Sequence, residues 1–257
     1  MGFRKTGSVE AIRTEVASLD WLRAARGGAP VAEVLRSGPG WLESRMMTHG
    51  EPTRDDAAAF GRALARTHAA GAPHWGAPPP GLREADAKLA ELPAPVAATP
   101  RWNSWGEFFA DARLRPYLRL TSLDPAARHL LNQAIDVVAA GRFDSPQPRL
   151  VRGVARLHGD LWGGNIVWEA DAVGATGTLI DPSAHGGHAE TDLAELALFG
   201  ASHLTSILAG YQELSPLADG WELRRTVHQF HMVLVHCALF GGSYLNQALG
   251  LAHLITR

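Results

Sequence analysis

The run from Leu157 to Trp168, LHGDLWGGNIVW, constrains this chain more than any other stretch of its sequence. Asp160 stands five residues before Asn165, across a glycine-containing loop. A short apolar strand and a Gly/Ala-rich connection follow, and Asp181 then ends a second apolar run. The pattern predicts a loop and two short strands that bring one amide and two carboxylates to the same place.

Two carboxylates and an amide in this order indicate phosphoryl transfer of the kinase type, which needs positioning and charge neutralisation rather than covalent help. Mg²⁺ takes hard oxygen ligands, so Asn165 and Asp181 are its predicted ligands. Asp160 is predicted to orient an acceptor hydroxyl and take its proton. A metal hydrolase that uses the His-Asp pair is an alternative, although its third and fourth ligands are not evident in the sequence.

Composition excludes several other classes of function. A length of 257 residues suits one large domain or two lobes, and the net charge of -2 gives no bias toward nucleic acid or an anionic membrane. No apolar run approaches the ~18–20 residues of a membrane span. Cys237 is the only cysteine, which fits a reducing cytosol. We therefore expect a cytoplasmic protein without nucleic-acid or membrane partners, and the sequence leaves its oligomeric state open.

A helix is predicted near the start of the chain, from Ser8 as N-cap to about Arg26. Glu15 falls on the apolar face of this helix, where an unpaired carboxylate is costly. Lys5, just before the helix, is its predicted partner. The alternative is that Glu15 lies at the edge of the apolar stripe and points to solvent.

The motif resembles the fructosamine-3-kinase (ketosamine 3-kinase) family of the aminoglycoside phosphotransferase and protein-kinase-like superfamily. The resemblance rests on His158 to Asn165, on Asp181-Pro182, and on the run from Gly187 to Ala194. Three further segments are similar to family signatures: residues 61–68, 105–116 and 239–245. The Leu-Trp pair after Asp160 separates this family from general aminoglycoside kinases.

The resemblance implies an α+β, protein-kinase-like fold of two lobes. Residues 1–47 would form an N-lobe with a small antiparallel sheet that lacks the first two strands, and residues 48–257 a mainly helical C-lobe with the catalytic loop. The implied reaction is ATP-dependent phosphorylation of the O3' hydroxyl of fructosamines or ribulosamines, on small molecules or on proteins, as deglycation repair. ATP and Mg²⁺ are the implied cofactors.

The resemblance also implies roles for individual residues in binding the nucleotide. Asp160 would be the base, Lys5 would contact phosphate and Glu15 would orient Lys5. Met46 and Met47 fall where kinases bind adenine through backbone groups, although the family usually has a Glu-aromatic pair there. Methionines pack readily on aromatic rings.

Four more residues are predicted to support the catalytic loop or the substrate: His158, Trp162, Glu190 and Asp192. Asp192 would brace the loop as the matching acid does in the kinase-like fold, or it would simply cap its own helix. Trp162 would stack on a sugar or an amine substituent, or pack in the core. His185 and His188 are predicted to lie in a flexible loop over residues 182–188, rather than to bind zinc.

The family begins with two strands joined by a loop that covers the ATP phosphates, whereas this sequence begins at the lysine strand. Three explanations stay open: the start is assigned too late, ATP binds weakly, or ATP does not bind. We therefore expect reduced or absent activity. The rival functions are another small-molecule kinase, of the aminoglycoside or choline type, and a pseudokinase.

Overall fold

A three-stranded antiparallel sheet opens the part of the chain that the structure describes, residues 2–257 of a computed structural model. Its strands are β1 (Gly2–Thr6), β2 (Val34–Gly38) and β3 (Trp41–Arg45), in the order β1-β3-β2. Lys5 of β1 stands opposite Leu42 of β3. The predicted strands over residues 31–36 and 41–47 are thus present with shifted ends, since Val31 bridges to Leu179 outside this sheet.

Helix α1 (Val9–Arg23) follows β1 and joins the sheet to the rest of the molecule. The Ser8 side chain accepts the N–H of Ala11, which confirms the predicted N-cap. The helix ends three residues before the predicted Arg26, and its last turn is capped at Ala24. The Ser18 side chain accepts the N–H of Ala184 over 3.0 Å. This hydrogen bond holds α1 against the segment that follows Asp181.

The remainder of the chain is mainly helical, and its helices lie close to the predicted ranges. They are α2 (Arg54–Ala69), α3 (Trp105–Phe108), α4 (Arg115–Leu120), α5 (Pro125–Ala139), α6 (Glu190–Phe199), α7 (Leu204–Leu214), α8 (Trp221–Phe240) and α9 (Ser243–Thr256).

One predicted helix, over residues 104–118, is divided into three parts. A π-helical segment, Phe109–Leu114, separates α3 from α4. Pro116 lies in the first turn of α4. A proline has no N–H and its ring clashes with the carbonyl four residues earlier, so a regular α-helix cannot continue through it. The backbone there forms the i→i+5 hydrogen bonds of a π-helix instead.

Three short antiparallel pairs complete the described structure. β4 (Lys88–Leu89) pairs with β5 (Leu92–Pro93), β6 (Ala155–Leu157) with β9 (His185–Gly187), and β7 (Ile166–Ala170) with β8 (Ala175–Leu179). The β7–β8 hairpin was predicted.

The predicted flexible loop over residues 182–188 is wrong. Its second half is β9, and every residue from Pro182 to His188 is buried. Buried backbone N–H and C=O groups need partners, and the ladder to β6 supplies them. The pairing fixes the chain segment after Asp181 to the strand that leads into the catalytic loop.

The largest core is formed by the central helices α3 to α5 with α8 and α9, and a second core by α2, α6 and α7 around the β7–β8 hairpin. The catalytic loop, residues 158–165, adjoins the second core, to which it contributes Leu161. Among the helices of residues 2–257, none combines the length and apolar character required to cross a membrane.

Candidate active site

The catalytic loop begins at His158, and a buried carboxylate from α6 holds it. Asp192 accepts the N–H of His158 over 2.7 Å and that of Gly159 over 3.0 Å, and His68 of α2 contacts the same carboxylate at 3.0 Å. Gly159 has a φ of 81°, and a Cβ there would lie 2.2 Å from the carbonyl oxygen of Ser183. Glycine is therefore required at this turn.

His158 links the two acidic ends of the site. Its Nδ1 accepts the N–H of Asp160 over 3.3 Å, and its Nε2 lies 2.8 Å from the carbonyl oxygen of Ile180, the residue before Asp181. Burial lowers the pKa of His158 despite the nearby Asp192. The neutral ring with its proton on Nε2 satisfies both contacts, so His158 fixes Asp160 and Asp181 relative to each other.

Asp160 and Asn165 contact each other directly. The Nδ2 of Asn165 donates to the backbone oxygen of Asp160 over 2.8 Å and to its Oδ2 over 3.1 Å. Burial raises the pKa of Asp160 to about 7, although the hydrogen bond from Asn165 opposes this. With Nδ2 turned to Asp160, the Oδ1 of Asn165 is the atom left to bind a cation.

Lys5 lies between two carboxylates. Its Nζ is 2.8 Å from Oε2 of Glu15 and 2.9 Å from Oδ1 of Asp181, so the predicted pair with Glu15 is present. Burial alone would lower the pKa of Lys5, but the two carboxylates outweigh it and raise that pKa. Asp181 has a φ of 53°, an uncommon left-handed conformation that a residue at a functional site often carries.

The cleft carries more negative charge than Lys5 neutralises. Burial and the neighbouring Asp181 raise the pKa of Glu15 to about 7, against the effect of Lys5. Burial raises the pKa of Asp160 to about the same value, and the neighbouring Asp181 adds to this shift. A divalent cation would relieve this surplus, and the carboxylate of Asp181 with the amide oxygen of Asn165 are the hard donors that Mg²⁺ takes. The residues therefore fit the metal.

Among the described residues, a polar cavity of about 250 Å³ contains Lys5, Asp160 and Asp181 together, and two further cavities share lining residues with it. The first of these two, which we call the nucleotide cleft, has a volume of about 290 Å³ and lies between the sheet and the β7–β8 hairpin. Its lining includes Phe3, Lys5, Leu42, Met46, Met47 and Asp181. The structure thus brings the two predicted adenine-side methionines into the same cavity as the lysine and the acid.

The second cavity, which we call the aromatic pocket, has a volume of about 260 Å³ and begins at Asp160. It is lined mainly by side chains of the catalytic loop and of α6, α8 and α9: Trp162, Phe199, His236, Leu239, Phe240 and Tyr244.

Trp162 forms one side of the aromatic pocket and is 42% exposed, so it does not pack within a core. Its ring covers Gly164 so closely that a Cβ there would lie 2.2 Å from the indole. The second glycine of the Gly163-Gly164 pair is therefore what lets the indole lie flat over the loop.

Asp192 and Glu190, both in the first turn of α6, have different surroundings. The carboxylate of Asp192 contacts the catalytic loop, which is the geometry of the expected brace. Glu190 instead receives two hydrogen bonds, of 2.8 and 2.6 Å, from the guanidinium of Arg224 in α8. Its expected support of the loop or substrate is therefore not seen, because its carboxylate ties α6 to α8.

Glu195 of α6 also holds the catalytic loop, although it was not among the predicted site residues. Its Oε2 accepts the N–H of Leu161 over 2.9 Å, so α6 holds the catalytic loop at a second point. The signal was available, because Glu195 stands three residues after Asp192 and shares its helix face. A carboxylate on the face of a helix that packs against the protein needs a partner.

Three potential metal ligands, in His188, Glu190 and His228, also come together, with ligand atoms within 4.8 Å of one another. Arg224 already occupies the carboxylate of Glu190. Burial lowers the pKa of both histidines, and their rings pack against Trp105. A cation would have to displace the guanidinium, so this cluster is structural.

Three features define a protein of the kinase-like fold. They are the sheet that carries Lys5, the helix that carries Glu15, and the catalytic loop that places Asp160 near Asp181. Solved structures support this. The crystal structure of a thermostable mutant of aminoglycoside phosphotransferase APH(4)-Ia, in a ternary complex with ADP and hygromycin B, is 17% identical with a TM-score of 0.58. The match covers 99% of this chain and 84% of that chain. At that identity the likeness shows the fold alone.

The chain belongs to the fructosamine kinase family, because the model of that family matches residues 4–256. A crystal structure from Thermobifida fusca, described as a candidate fructosamine-3-kinase, is 36% identical with a TM-score of 0.83, covering 99% of this chain and 85% of its own.

A protein of Synechocystis sp. named as a probable ketoamine kinase is 30% identical over 227 residues, or 85% of this chain and 68% of that protein. The chain spans about half the length of the Vibrio relatives that carry the same name. The predicted family and the kinase-like α+β fold are confirmed.

Proposed function

We propose that this chain transfers the γ-phosphoryl group of ATP to the O3' hydroxyl of a ketosamine sugar. The observation that carries the proposal is the arrangement of Lys5, Asp181 and Asp160 between two cavities. One cavity suits a nucleotide and the other an acceptor. The proposed lobes, residues 1–47 and 48–257, meet at the nucleotide cleft.

On the donor side, Lys5 would contact the phosphates while Glu15 holds its ammonium in place. Asn165 and Asp181 would hold Mg²⁺, which when bound neutralises phosphate charge. Met46 and Met47 would pack on the adenine ring. This assignment is supported by the ion pairs of Lys5 and by the shared cavity.

On the acceptor side, Asp160 would orient the sugar hydroxyl and take its proton. The hydroxyl oxygen forms its bond to phosphorus as the bond from phosphorus to the bridging oxygen breaks, and ADP leaves. The backbone N–H of Asp160 donates to Nδ1 of His158, and the side-chain amide of Asn165 donates to Oδ2 of Asp160. These two hydrogen bonds keep the carboxylate of Asp160 in place. A site that positions both reactants supplies most of what this reaction needs.

The product explains a repair role. Enolisation of the ketosamine toward C1 gives an enaminol that expels phosphate from C3 more readily than it would expel hydroxide. Water then hydrolyses the resulting imine at C1, and the amine is released. We propose that the substrates are fructosamines or ribulosamines on small molecules or proteins, in the cytoplasm. Reversal of glycation is then the outcome.

The decisive experiment measures ADP formation with fructosamine and ribulosamine substrates and locates the new phosphate by ³¹P NMR. We expect phosphorylation at O3', and Asp160→Asn should lower kcat by about 10²–10⁴-fold. Asp171→Asn, in the exposed β7–β8 connection, is the matched control and should behave as the unaltered protein. Phosphorylation of an aminoglycoside or choline but of no ketosamine would contradict the proposal.

A further inference from the structure

The aromatic pocket adjoins the place where the acceptor hydroxyl would stand. Asp160 borders both this pocket and the polar cavity that contains Lys5 and Asp181. In a ketosamine, only C1 and C2 separate the amine nitrogen from the carbon that bears the hydroxyl. A sugar with its O3' at Asp160 therefore carries its amine substituent within reach of the pocket.

Four of the twelve large apolar side chains that are exposed among the described residues line this one pocket. Trp162 is 42% exposed, Phe199 37%, Leu239 41% and Phe240 69%. Single exposed apolar side chains are ordinary, but several large ones around one cavity mark a binding site.

The wall of the pocket is built before any ligand arrives. His236 stands at its centre, with ring centroids 4.9 Å from Phe199, 4.9 Å from Tyr244 and 5.6 Å from Phe240. The Nδ1 of His236 lies 2.8 Å from the carbonyl oxygen of Met232, which fixes the ring. These contacts hold three aromatic rings from three helices at one surface.

The charges of the pocket select against an anion. Among its described lining residues there is no lysine or arginine, and Asp160 is the only acid. A carboxylate placed there would lose part of its hydration without meeting a lysine or arginine, and it would lie near the carboxylate of Asp160. An apolar group would lose nothing, and the protonated amine of a ketosamine would face aromatic rings and Asp160.

We propose that the aromatic pocket holds the amine substituent of the ketosamine and selects apolar substituents, above all aromatic ones, over those that carry a carboxylate. This inference rests on the proposed function and adds the class of amine. Phe240 and Tyr244 are then specificity-determining residues of the site.

The test compares kcat/KM for fructosyl-benzylamine, fructosyl-glycine and a neutral capped fructosyl-lysine peptide. We expect fructosyl-benzylamine to exceed fructosyl-glycine by at least about tenfold, as the loss of a buried aromatic contact and an unpaired carboxylate together require. The peptide, whose butyl chain is apolar, should fall between them. Phe240→Ala should lower the ratio of benzylamine to glycine substrate several-fold, because the aromatic contact is weakened while the cost of the unpaired carboxylate remains.

Leu223→Ala is the matched control, because Leu223 is also exposed on α8 but lies outside the pocket lining. It should leave the ratio unchanged. Equal kcat/KM values for the three substrates, or a ratio that Phe240→Ala does not move, would overturn the inference while leaving the proposed function intact.

If no ketosamine is turned over, the proposed function fails. Calorimetry then still tests whether the aromatic pocket prefers an apolar amine substituent. Tighter binding of fructosyl-benzylamine than of fructosyl-glycine, reduced by Phe240→Ala, supports the inference, and equal binding refutes it.

Discussion

The backbone N–H of His158 donates to Oδ2 of Asp192 over a distance of 2.7 Å. This bond joins the first residue of the catalytic loop to the first turn of α6, and both groups are buried. Burial would raise the pKa of Asp192, but the hydrogen bond from His68 and the loop N–H groups outweigh it and lower that pKa. The carboxylate is therefore charged, and both of its oxygens accept hydrogen bonds.

Asp192→Asn should lower the free energy of unfolding by about 2–3 kcal/mol, because the new amide group faces buried N–H donors. Urea denaturation followed by circular dichroism measures this change. Asp20→Asn provides the control, since that side chain is 63% exposed and pairs only with Arg23. Equal midpoints for the two variants would mean that Asp192 does not brace the loop.

The pH dependence of turnover should report Asp160. Burial raises the pKa of this group to about 7, and a base acts only when it is deprotonated. We expect kcat/KM to fall as the pH drops through about 7, with a slope of at least one in the logarithmic plot, because the pKa of Glu15 lies in the same range. Stopped assays between pH 5 and 9 at constant ionic strength provide the profile. A rate independent of pH over this range would exclude Asp160 as the base.

Lys5→Met should reduce kcat/KM for ATP by about 100-fold, because it removes the cation that stands between Glu15 and Asp181. Arg4→Met removes the same charge from the neighbouring position, where the guanidinium lies over the ring of Trp41. That control should keep its nucleotide affinity, measured by calorimetry with a non-hydrolysable ATP analogue. The proposal for Lys5 would fail if both variants lost affinity equally.

The Glu190–Arg224 pair should make the free energy of unfolding depend on pH in the acidic range. Burial would raise the pKa of Glu190, but hydrogen bonds from His228 and Arg224 lower it to about 2, from 4.5 in the unfolded chain. The stabilisation is thus complete above pH 4.5 and is lost as the pH falls toward 2. Glu190→Gln should be less stable at pH 7, and its difference from the unaltered protein should shrink below pH 4.5 in urea titrations. A constant difference would contradict this.

Local signals in the sequence were sufficient for much of the fold. Ser8 before an amphipathic run located α1, and the apolar runs around residues 166–180 located the β7–β8 hairpin. The pairing of Lys5 with Glu15 followed from the cost of an unpaired carboxylate on an apolar face. These inferences needed only neighbours in the chain and one rule of electrostatics.

Contacts between distant segments were beyond that reasoning. β9 has the sequence HGG, which lacks the β-branched and aromatic residues of typical strands, and only its burial against β6 makes it one. The aromatic pocket likewise joins rings from residues 162, 199, 236, 240 and 244. No local pattern predicts that these side chains face a common cavity.

The ladder between β6 and β9 couples the two acidic loops mechanically. Because β6 leads into the loop of Asp160 and β9 follows Asp181, neither loop can shift without straining the other through three paired residues. Amide hydrogens on both sides of the ladder should therefore exchange with solvent as a single cooperative unit. A rise in temperature that opens this ladder would abolish catalytic activity while the helical cores are still folded.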